Sequence, residues 1–287
     1  MLFGANTVAV KITLTGMGIF ATAGLRFAAA AGALFFWARA TGQVFAVPPQ
    51  RRFGLGLICL AFTVQLTLFY LGLSRAPASR AVLMANLQPF FLLILAHYFI
   101  PGERITKRKI AGIVLGFAGV VCLIALGSAG AAGSRGGEWI VMAAALVWAC
   151  NGILVKRILE DLSPFQVVFY PMLAAIPVSL VLSVVFDAPA VTRINGPVVA
   201  GLVYQSLVVA AFGFVAWNRL LQRYGAVNLH VFIFIMPIAG VLLGGLMLDE
   251  PLTPHLLAAL VLIAAGIICI NHRHKPPVPA VPLSRNI

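Results

Sequence analysis

Polar side chains stand inside several long apolar stretches of this sequence, and they are the residues best placed to bind a ligand. An unpaired amide in hydrocarbon is costly, so each needs a hydrogen-bonding partner. The partners can be other helices, at about 0.6 kcal/mol per bond, or the polar groups of a substrate in a cavity whose aromatic walls hold its apolar part. Because the residues come from four separate stretches, the second interpretation is favoured. The predicted substrate-binding residues are Gln65, Asn86, Gln88, Trp148, Asn151, Tyr204 and Gln205.

Arg26 also lies inside an apolar stretch, roughly 10 Å from its nearer end if the stretch is helical, and no acid is close to it in sequence. Its side chain either extends toward the interface and bonds carbonyl groups at a helix end, or attracts a substrate carboxylate. We add Arg26 to the predicted substrate-binding residues on the second interpretation.

His97 and His230 lie towards the ends of two other apolar stretches. Imidazole titrates near neutral pH, so either residue could carry a coupling proton. The simpler interpretation is that each is the polar end of a helix.

All seven acids are expected outside the apolar stretches, in loops or at helix ends. Coupling to protons or sodium often uses a carboxylate within a membrane span, and a cation exporter would need one as a counter-ion. The pattern therefore favours neutral, zwitterionic or anionic substrates, with downhill export or coupling through another group. Glu103 and Glu250, just before helix starts, are interpreted as structural. The acids are Glu103, Glu138, Glu160, Asp161, Asp187, Asp249 and Glu250.

Motifs of enzymes and metal sites are missing from the sequence. It contains no H-E-x-x-H, no G-x-S-x-G, no Walker A pattern and no C-x-x-C. The four cysteines fall within apolar runs and are interpreted as small buried hydrophobes. We therefore predict no enzyme activity, no metal and no cofactor, while a membrane-embedded enzyme and a passive channel remain as alternatives.

The composition identifies lipid as the solvent of this chain. Hydrophobic residues make up 62% of the 287 residues and charged residues 9%, whereas soluble domains carry about 25% charged residues. The net charge of +13 does not indicate nucleic-acid binding, because the basic residues lie in short loops between apolar runs. The predicted partners are the lipid bilayer and a small-molecule substrate. The oligomeric state stays open, and a monomer is compatible with the sequence.

The apolar runs and their punctuation predict an all-α integral membrane protein with ten transmembrane helices. Proline directly after a hydroxyl residue marks two starts, at Ser163-Pro164 and Thr253-Pro254. The predicted ranges are 1–14, 19–38, 53–73, 78–99, 107–127, 138–156, 164–186, 197–218, 227–248 and 254–271.

The distribution of lysine and arginine predicts the orientation. Most of them fall on the cytoplasmic side if the N-terminus is cytoplasmic, and an even number of spans then brings the C-terminus to the same side. The start "MLFGANTVAVKITLTG" lacks the features of a removable signal peptide. We predict a multi-pass protein of the inner (plasma) membrane, with a disordered, proline-rich cytoplasmic tail at 273–287.

The chain repeats itself about half its length apart. "NLQPFFLLILAHYFIPGERIT", from Asn86, resembles "IMPIAGVLLGGLMLDEPLT", from Ile235, and "ANTVAVK", from Ala5, resembles "CNGILVK", from Cys150. The predicted domains are a first five-helix repeat at 1–127, a connecting loop at 128–137 and a second repeat at 138–272. Because five is odd, the second repeat is inverted in the membrane, as in many secondary transporters.

A proline lies near the middle of one helix in each half. Pro89 and Pro237 each remove a backbone donor and free the carbonyl four residues earlier. In lipid a free carbonyl is tolerated only against protein or a wet cavity. The prolines are either kinks that shape packing or gating bends beside a central site.

The segments "NLQPFFLLILAHYFIPGERITKRKIAGIVLGFAGVVCLI" and "LFGANTVAVK", with "LRF" at Leu25–Phe27, resemble the EamA-type family of the drug/metabolite transporter superfamily. The resemblance covers nearly the whole chain short of the tail. It implies two inverted five-helix halves around a central cavity and export of small metabolites, with amino-acid exporters of the YddG kind as one example. No motif separates these from their relatives.

Overall fold

The computed structural model of the protein describes residues 2–100, 105–125, 136–158, 162–220 and 235–271. These residues are almost entirely helical, and the β-structure within them is limited to one isolated bridge between Met17 and Val191. The helices are α1 (Leu2–Leu14), α2 (Ile19–Ala40), α3 (Pro49–Arg75), α4 (Ala78–Ala85), α5 (Gln88–Phe99), α6 (Lys107–Ala125), α7 (Gly137–Ile158), α8 (Pro164–Phe186), α9 (Gly196–Val203), α10 (214–220), α11 (Ile235–Leu248) and α12 (Pro254–Asn271).

Six helical segments in the described ranges are long and apolar enough to cross a membrane. Two shorter apolar helices, Ile235–Leu248 and Pro254–Ile270, accompany them. The chain is therefore a multi-pass, all-helical membrane protein. The six are Ile19–Ala40, Pro49–Arg75, Ala78–Phe99, Gly137–Arg157, Pro164–Phe186 and Gly196–Leu220.

Local sequence accounts for several helix boundaries. The hydroxyl of Ser163 accepts from the backbone N–H of Gln166, and the Gln166 side chain accepts from the Ser163 N–H, which is a complete capping box before α8. Pro49 allows α3 to begin four residues before the predicted start at 53. The N-terminal part of the predicted helix 227–248, the connecting loop and the tail fall largely or wholly outside the described residues.

The segment 78–99, predicted as one helix, is interrupted at Asn86 and Leu87. Proline has no N–H, so the carbonyl of Ala85 loses its helical donor at Pro89. α4 ends at Ala85, and the next turn is tighter, with the N–H of Phe90 donating to the carbonyl of Leu87 over 3.0 Å. Pro237 lies in the first turn of the described part of α11, so the residues on which its bend would depend lie outside the description.

A ten-residue π-helix, Tyr204–Gly213, lies between α9 and α10. The helical segment from Gly196 to Leu220 is thus continuous but locally underwound. No sequence pattern predicted this change. π-helical turns are rare and are often found at functional sites.

Close contacts at glycine bring distant helices together. A Cβ on Gly112 of α6 would lie 2.9 Å from the carbonyl oxygen of Gly266 in α12, and a Cβ on Gly4 of α1 would lie 2.7 Å from the carbonyl oxygen of Met236 in α11. Because glycine lacks this atom, the two pairs of helices approach closely, as is usual in membranes. The pairs α3 and α7, α2 and α8, and α4 and α11 also pack together.

Candidate functional site

A chain of buried hydrogen bonds crosses the molecule from α2 to α1. Arg26 Nη1 donates to the hydroxyl of Tyr70 over 3.1 Å, and this hydroxyl donates to Gln205 Oε1 over 2.9 Å. Gln205 Nε2 then donates to the hydroxyl of Thr13 over 2.9 Å, and Thr13 donates to the carbonyl of Ala9. We call Arg26, Tyr70, Gln205 and Thr13 the arginine network. It joins α1, α2, α3 and the π-helix.

The network buries a positive charge without a carboxylate. Arg26 is 3% exposed, and Tyr70, Gln205 and Thr13 are each 0% exposed. Arg26 Nε has no hydrogen-bond partner, and the guanidinium carbon lies 5.1 Å from the centre of the Phe27 ring. In the described chain, therefore, the arginine is held by a phenol hydroxyl and an aromatic face, and its charge is not neutralised by an ion pair.

The sequence identified two members of the arginine network, Arg26 and Gln205, and missed Tyr70 and Thr13. Both are hydroxyl residues inside apolar stretches, the same signal that selected the amides. Thr13 is close to α9 because Gly201 leaves space, since a Cβ there would lie 2.8 Å from the Thr13 hydroxyl.

A second set of polar side chains is carried by α3, α5 and α7, and α7 packs against both of the other helices. A Cβ on Gly72 would collide with Val141 of α7, so that face of α3 is turned towards α7. Gln65 lies seven residues, or about two turns, before Gly72 on the same face of α3, and so farther from the helix end at Arg75. Its Oε1 is buried without a hydrogen-bond partner, and so is the Oδ1 of Asn151 in α7, whose side chain is 7% exposed.

α5 adds to this second group. Gln88 Nε2 lies 3.8 Å from the position that a Cβ on Gly152 of α7 would occupy. Trp148 is half-buried one turn before Asn151 on the same helix. We call the three amides Gln65, Gln88 and Asn151, together with the neighbouring Trp148, the amide group. At 1.5 Å per residue, Gln65 lies roughly 15 Å along α3 from Arg75, about half the thickness of the hydrocarbon.

Asn6 of α1 is another buried amide with an unpaired oxygen, and the sequence prediction did not include it. Its Oδ1 is buried without a partner. In the repeat of "ANTVAVK" by "CNGILVK", Asn6 corresponds to Asn151. Asn6 could therefore have been predicted from the sequence, because it is the repeat counterpart of Asn151, which the sequence did select.

The other predicted residues are Asn86, Tyr204, His97 and His230. Asn86 is 5% exposed, and its Nδ2 donates to the carbonyl of Val82 one turn earlier, within its own helix. Tyr204 is half-buried at the start of the π-helix. His97 is exposed near the end of α5, where its ring meets that of Tyr98, and His230 lies outside the described residues.

Acid side chains from the second half of the chain cap two helices of the first half. Asp187, after α8, accepts from the N–H groups of Ile19, Phe20 and Ala21 over 2.7–3.0 Å at the start of α2. Glu250 accepts from Ala78 and Ser79 at the start of α4 over 2.6 and 2.8 Å. The sequence correctly suggested a helix dipole as the partner of Glu250, but the helix is α4 and not the one that follows it.

An ion pair reinforces the same end of the bundle. Arg80 of α4 and Glu138 of α7 are 2.8 Å apart, and their side chains are only 14% and 9% exposed. Nearby, a cavity of about 510 Å³ lies between α1, the end of α3 and the loop after α8, with Lys11, Ser74 and Thr192 among its polar lining. We call the contacts of Asp187, Glu250 and Glu138 the acid latches. Among the described residues, no three His, Cys, Asp or Glu side chains are grouped to hold a metal ion.

Comparisons with known proteins agree with this architecture. The model of the EamA-like transporter family matches residues 1–125 and 135–272. A "Probable amino-acid metabolite efflux pump" of Salmonella typhimurium is 31% identical over 277 residues, covering 93% of this chain and 90% of that protein. Its namesake in Escherichia coli is 30% identical with the same coverage.

One further relative and one solved structure are also similar to this chain. A "Probable terminal-alkyne amino-acid exporter" of Streptantibioticus cattleyicolor is 28% identical, covering 92% of this chain and 88% of that protein. A crystal structure superposes with a TM-score of 0.69 at 21% identity, covering 93% of this chain and 92% of the other. This last likeness concerns the fold alone.

Proposed function

The chain belongs to the EamA-like transporter family, and from this premise we propose that it is a secondary transporter that exports amino acids or similar small metabolites. The names of the relatives from Salmonella typhimurium, Escherichia coli and Streptantibioticus cattleyicolor support the substrate class. A membrane-embedded enzyme has no support from the family or from these names.

The unpaired amides are the observation that carries the proposal. Gln65 Oε1 and Asn151 Oδ1 are buried acceptors without donors, and such groups are costly unless a ligand or water satisfies them. An ammonium group supplies up to three donors, so these oxygens suit the amino group of an amino acid. Trp148 and the neighbouring apolar side chains would contact the rest of the substrate.

Arg26 favours the negatively charged end of an amino acid, as the amides favour its amino group. Its charge meets no carboxylate in the described chain, so it attracts a substrate carboxylate. A zwitterion satisfies both groups of residues, whereas a simple cation would be repelled by Arg26. Because Arg26 is 3% exposed in this conformation, direct contact would need a rearrangement of the arginine network.

The arrangement proposed for the ten helices is two inverted repeats of five, at 1–127 and 138–272, joined by a loop at 128–137 and followed by a cytoplasmic tail at 273–287. The two separate matches of the family model support it. So does the packing: α1 contacts α11, while its counterpart α7 contacts α4 and α5. Both termini would be cytoplasmic, and the host membrane would be the inner membrane.

Transport would proceed by alternating access. In this conformation the acid latches join the halves at the end of the bundle that would face outside in the proposed orientation. Release of substrate to that side would require Asp187, Glu250 and Glu138 to part from α2, α4 and Arg80. The break at Pro89 and the π-helix are the points where the helices would bend.

Uptake into liposomes that contain the purified protein tests this function. A panel of labelled amino acids is offered with and without a pH gradient, and protein-free liposomes are the control. Saturable uptake of one class is expected, and acceleration by the pH gradient would implicate His97 or His230. Flux that stays proportional to concentration would favour a passive channel, and no flux of any amino acid through folded protein would contradict the substrate class.

A further inference from the structure

A second cavity, of about 470 Å³, lies at the opposite end of the bundle from the acid latches. It is bounded by the segment before α3, the first three turns of α3 and the second turn of α8. Most of its lining is apolar, and its one charged residue is Arg52. In the orientation proposed above from the distribution of basic residues, this end of the bundle lies at the cytoplasmic surface of the membrane.

The floor of this cavity is well packed. Leu55 is 6% exposed and belongs to a small buried cluster with Ile58 and Val167, against which Cys59 and Tyr170 pack. The hydroxyl of Tyr170 donates to the carbonyl of Phe45 over 2.7 Å, which fastens the segment before α3 to α8. The cavity is thus a formed notch and not a gap between loose segments.

Gly56 opens the notch towards the hydrocarbon. A Cβ at this position would find no atom within 4 Å. Its neighbours on the same side of α3, Phe53 and Leu60, are 79% and 63% exposed. Exposed apolar side chains at this depth face lipid, so an acyl chain can enter the notch from the bilayer.

Arg52 stands at the polar end of the notch. Its Nε makes one long bond of 3.4 Å, to the carbonyl of Val47. Its two terminal nitrogens make no hydrogen bond with any described residue. Their N–H groups are therefore available to donate in the planar geometry that matches a phosphate group.

We propose that this notch binds an anionic phospholipid of the cytoplasmic leaflet. Its phosphate would bond the Arg52 guanidinium, and the start of an acyl chain would lie against Leu55, Gly56 and Cys59. A free phosphate would use the arginine but leave the apolar walls exposed to water, so the shape favours a lipid. Because Arg52 lines the notch and would contact the headgroup directly, we expect it to raise the affinity for the anionic lipid about fivefold.

Native mass spectrometry of the purified full-length protein, offered equal amounts of phosphatidylglycerol and phosphatidylcholine, tests the proposal. The unaltered protein should retain phosphatidylglycerol preferentially. Arg52→Ala should lower the retention of phosphatidylglycerol about fivefold, because it removes the guanidinium that donates hydrogen bonds to the phosphate. Gly56→Leu should lower it as well, although the charge is unchanged, because the side chain fills the notch.

Matched variants control for charge and for bulk. Arg39→Ala removes another basic residue from the same end of the bundle, and Gly32→Leu adds the same bulk at a second glycine with no atom within 4 Å of its Cβ position. Both should retain the lipid. Unchanged retention in Gly56→Leu, or displacement of the lipid by glycerol phosphate without acyl chains, would overturn the proposal. Because the readout is lipid retention, it does not depend on the proposed transport.

Discussion

At the scale of single residues, Tyr70 is the centre of the arginine network, because its hydroxyl both accepts from Arg26 and donates to Gln205. Tyr70→Phe keeps the ring but leaves two buried partners unsatisfied. We expect the free energy of unfolding to fall by about 1–3 kcal/mol. Thermal unfolding in detergent measures this loss. Tyr98→Phe, at a side chain that is 75% exposed, should leave the melting temperature unchanged, and an equal fall in both variants would contradict the network's role.

Substitution of Asn151 should not reduce stability as substitution of Tyr70 does, because the Asn151 Oδ1 has no hydrogen-bond partner to lose. Asn151→Ala should therefore leave the melting temperature close to that of the unaltered protein. If the amide binds substrate, transport should show a KM raised about tenfold, as expected for one bond to a charged group. Asn6→Ala tests its counterpart in the repeat in the same way.

Asn218→Ala is the matched control for this substitution. The Nδ2 of Asn218 donates to the carbonyl of Phe214 within its own helix, so its loss should not change KM. A normal KM in Asn151→Ala would remove the amide group from the substrate site. A large fall in stability would show instead that Asn151 has a structural partner.

At the scale of helices, Glu250 fixes the start of α4 from the other half of the chain. Glu250→Ala should destabilise the closed arrangement by about 0.5–2 kcal/mol, the usual value of a helix cap. The cavity beside Ser74 should then open more often. With Ser74→Cys in a protein without its four native cysteines, an impermeant thiol reagent applied from outside should label faster.

Asp249→Asn is the control for that experiment. Asp249 is exposed and has a φ of +51°, a conformation that asparagine tolerates, so labelling should stay slow. Equal labelling rates in Glu250→Ala and the unaltered protein would mean that the cap does not hold this end closed.

The close approach of α6 and α12 gives another prediction for helices. Gly112→Val places atoms where the carbonyl oxygen of Gly266 would lie 2.9 Å from the new Cβ. Overpacking of this kind costs about 1–3 kcal/mol, so the melting temperature should fall. Gly32→Val, at a position with no neighbouring atom within 4 Å, should cost less. Equal losses would point to helix propensity as the cause.

Local chemistry explains which of these elements could be predicted from the sequence. Ser163 and Pro164 mark the start of α8 because a capping box depends on neighbouring residues alone. Glu250 was assigned to the wrong helix because its partners are about 170 residues away in the chain. The π-helix and the approach of Gln88 to Gly152 depend on how helices pack, which hydrophobic periodicity does not encode.

At the scale of the whole molecule, the acid latches and the arginine network both join the two halves of the chain, so export by alternating access requires some of these contacts to break in each cycle. The contact of Arg80 with Glu138 allows a direct test, because α4 and α7 belong to opposite halves. Cysteines at these two positions, in a protein without native cysteines, can be joined by a short bifunctional thiol reagent. We expect the cross-linked protein to stop transporting and a cleavable, disulfide-containing reagent to restore transport after reduction.

The two single-cysteine variants are the controls, since the reagent cannot join helices in them and should leave their transport unchanged. A passive channel would conduct in one fixed conformation. Undiminished flux through fully cross-linked protein would therefore contradict alternating access at this end of the bundle, while the fold and the family membership would stand. Loss of transport that reduction restores would show that α4 and α7 separate during every transport cycle, as the proposed inverted arrangement of the two halves would require.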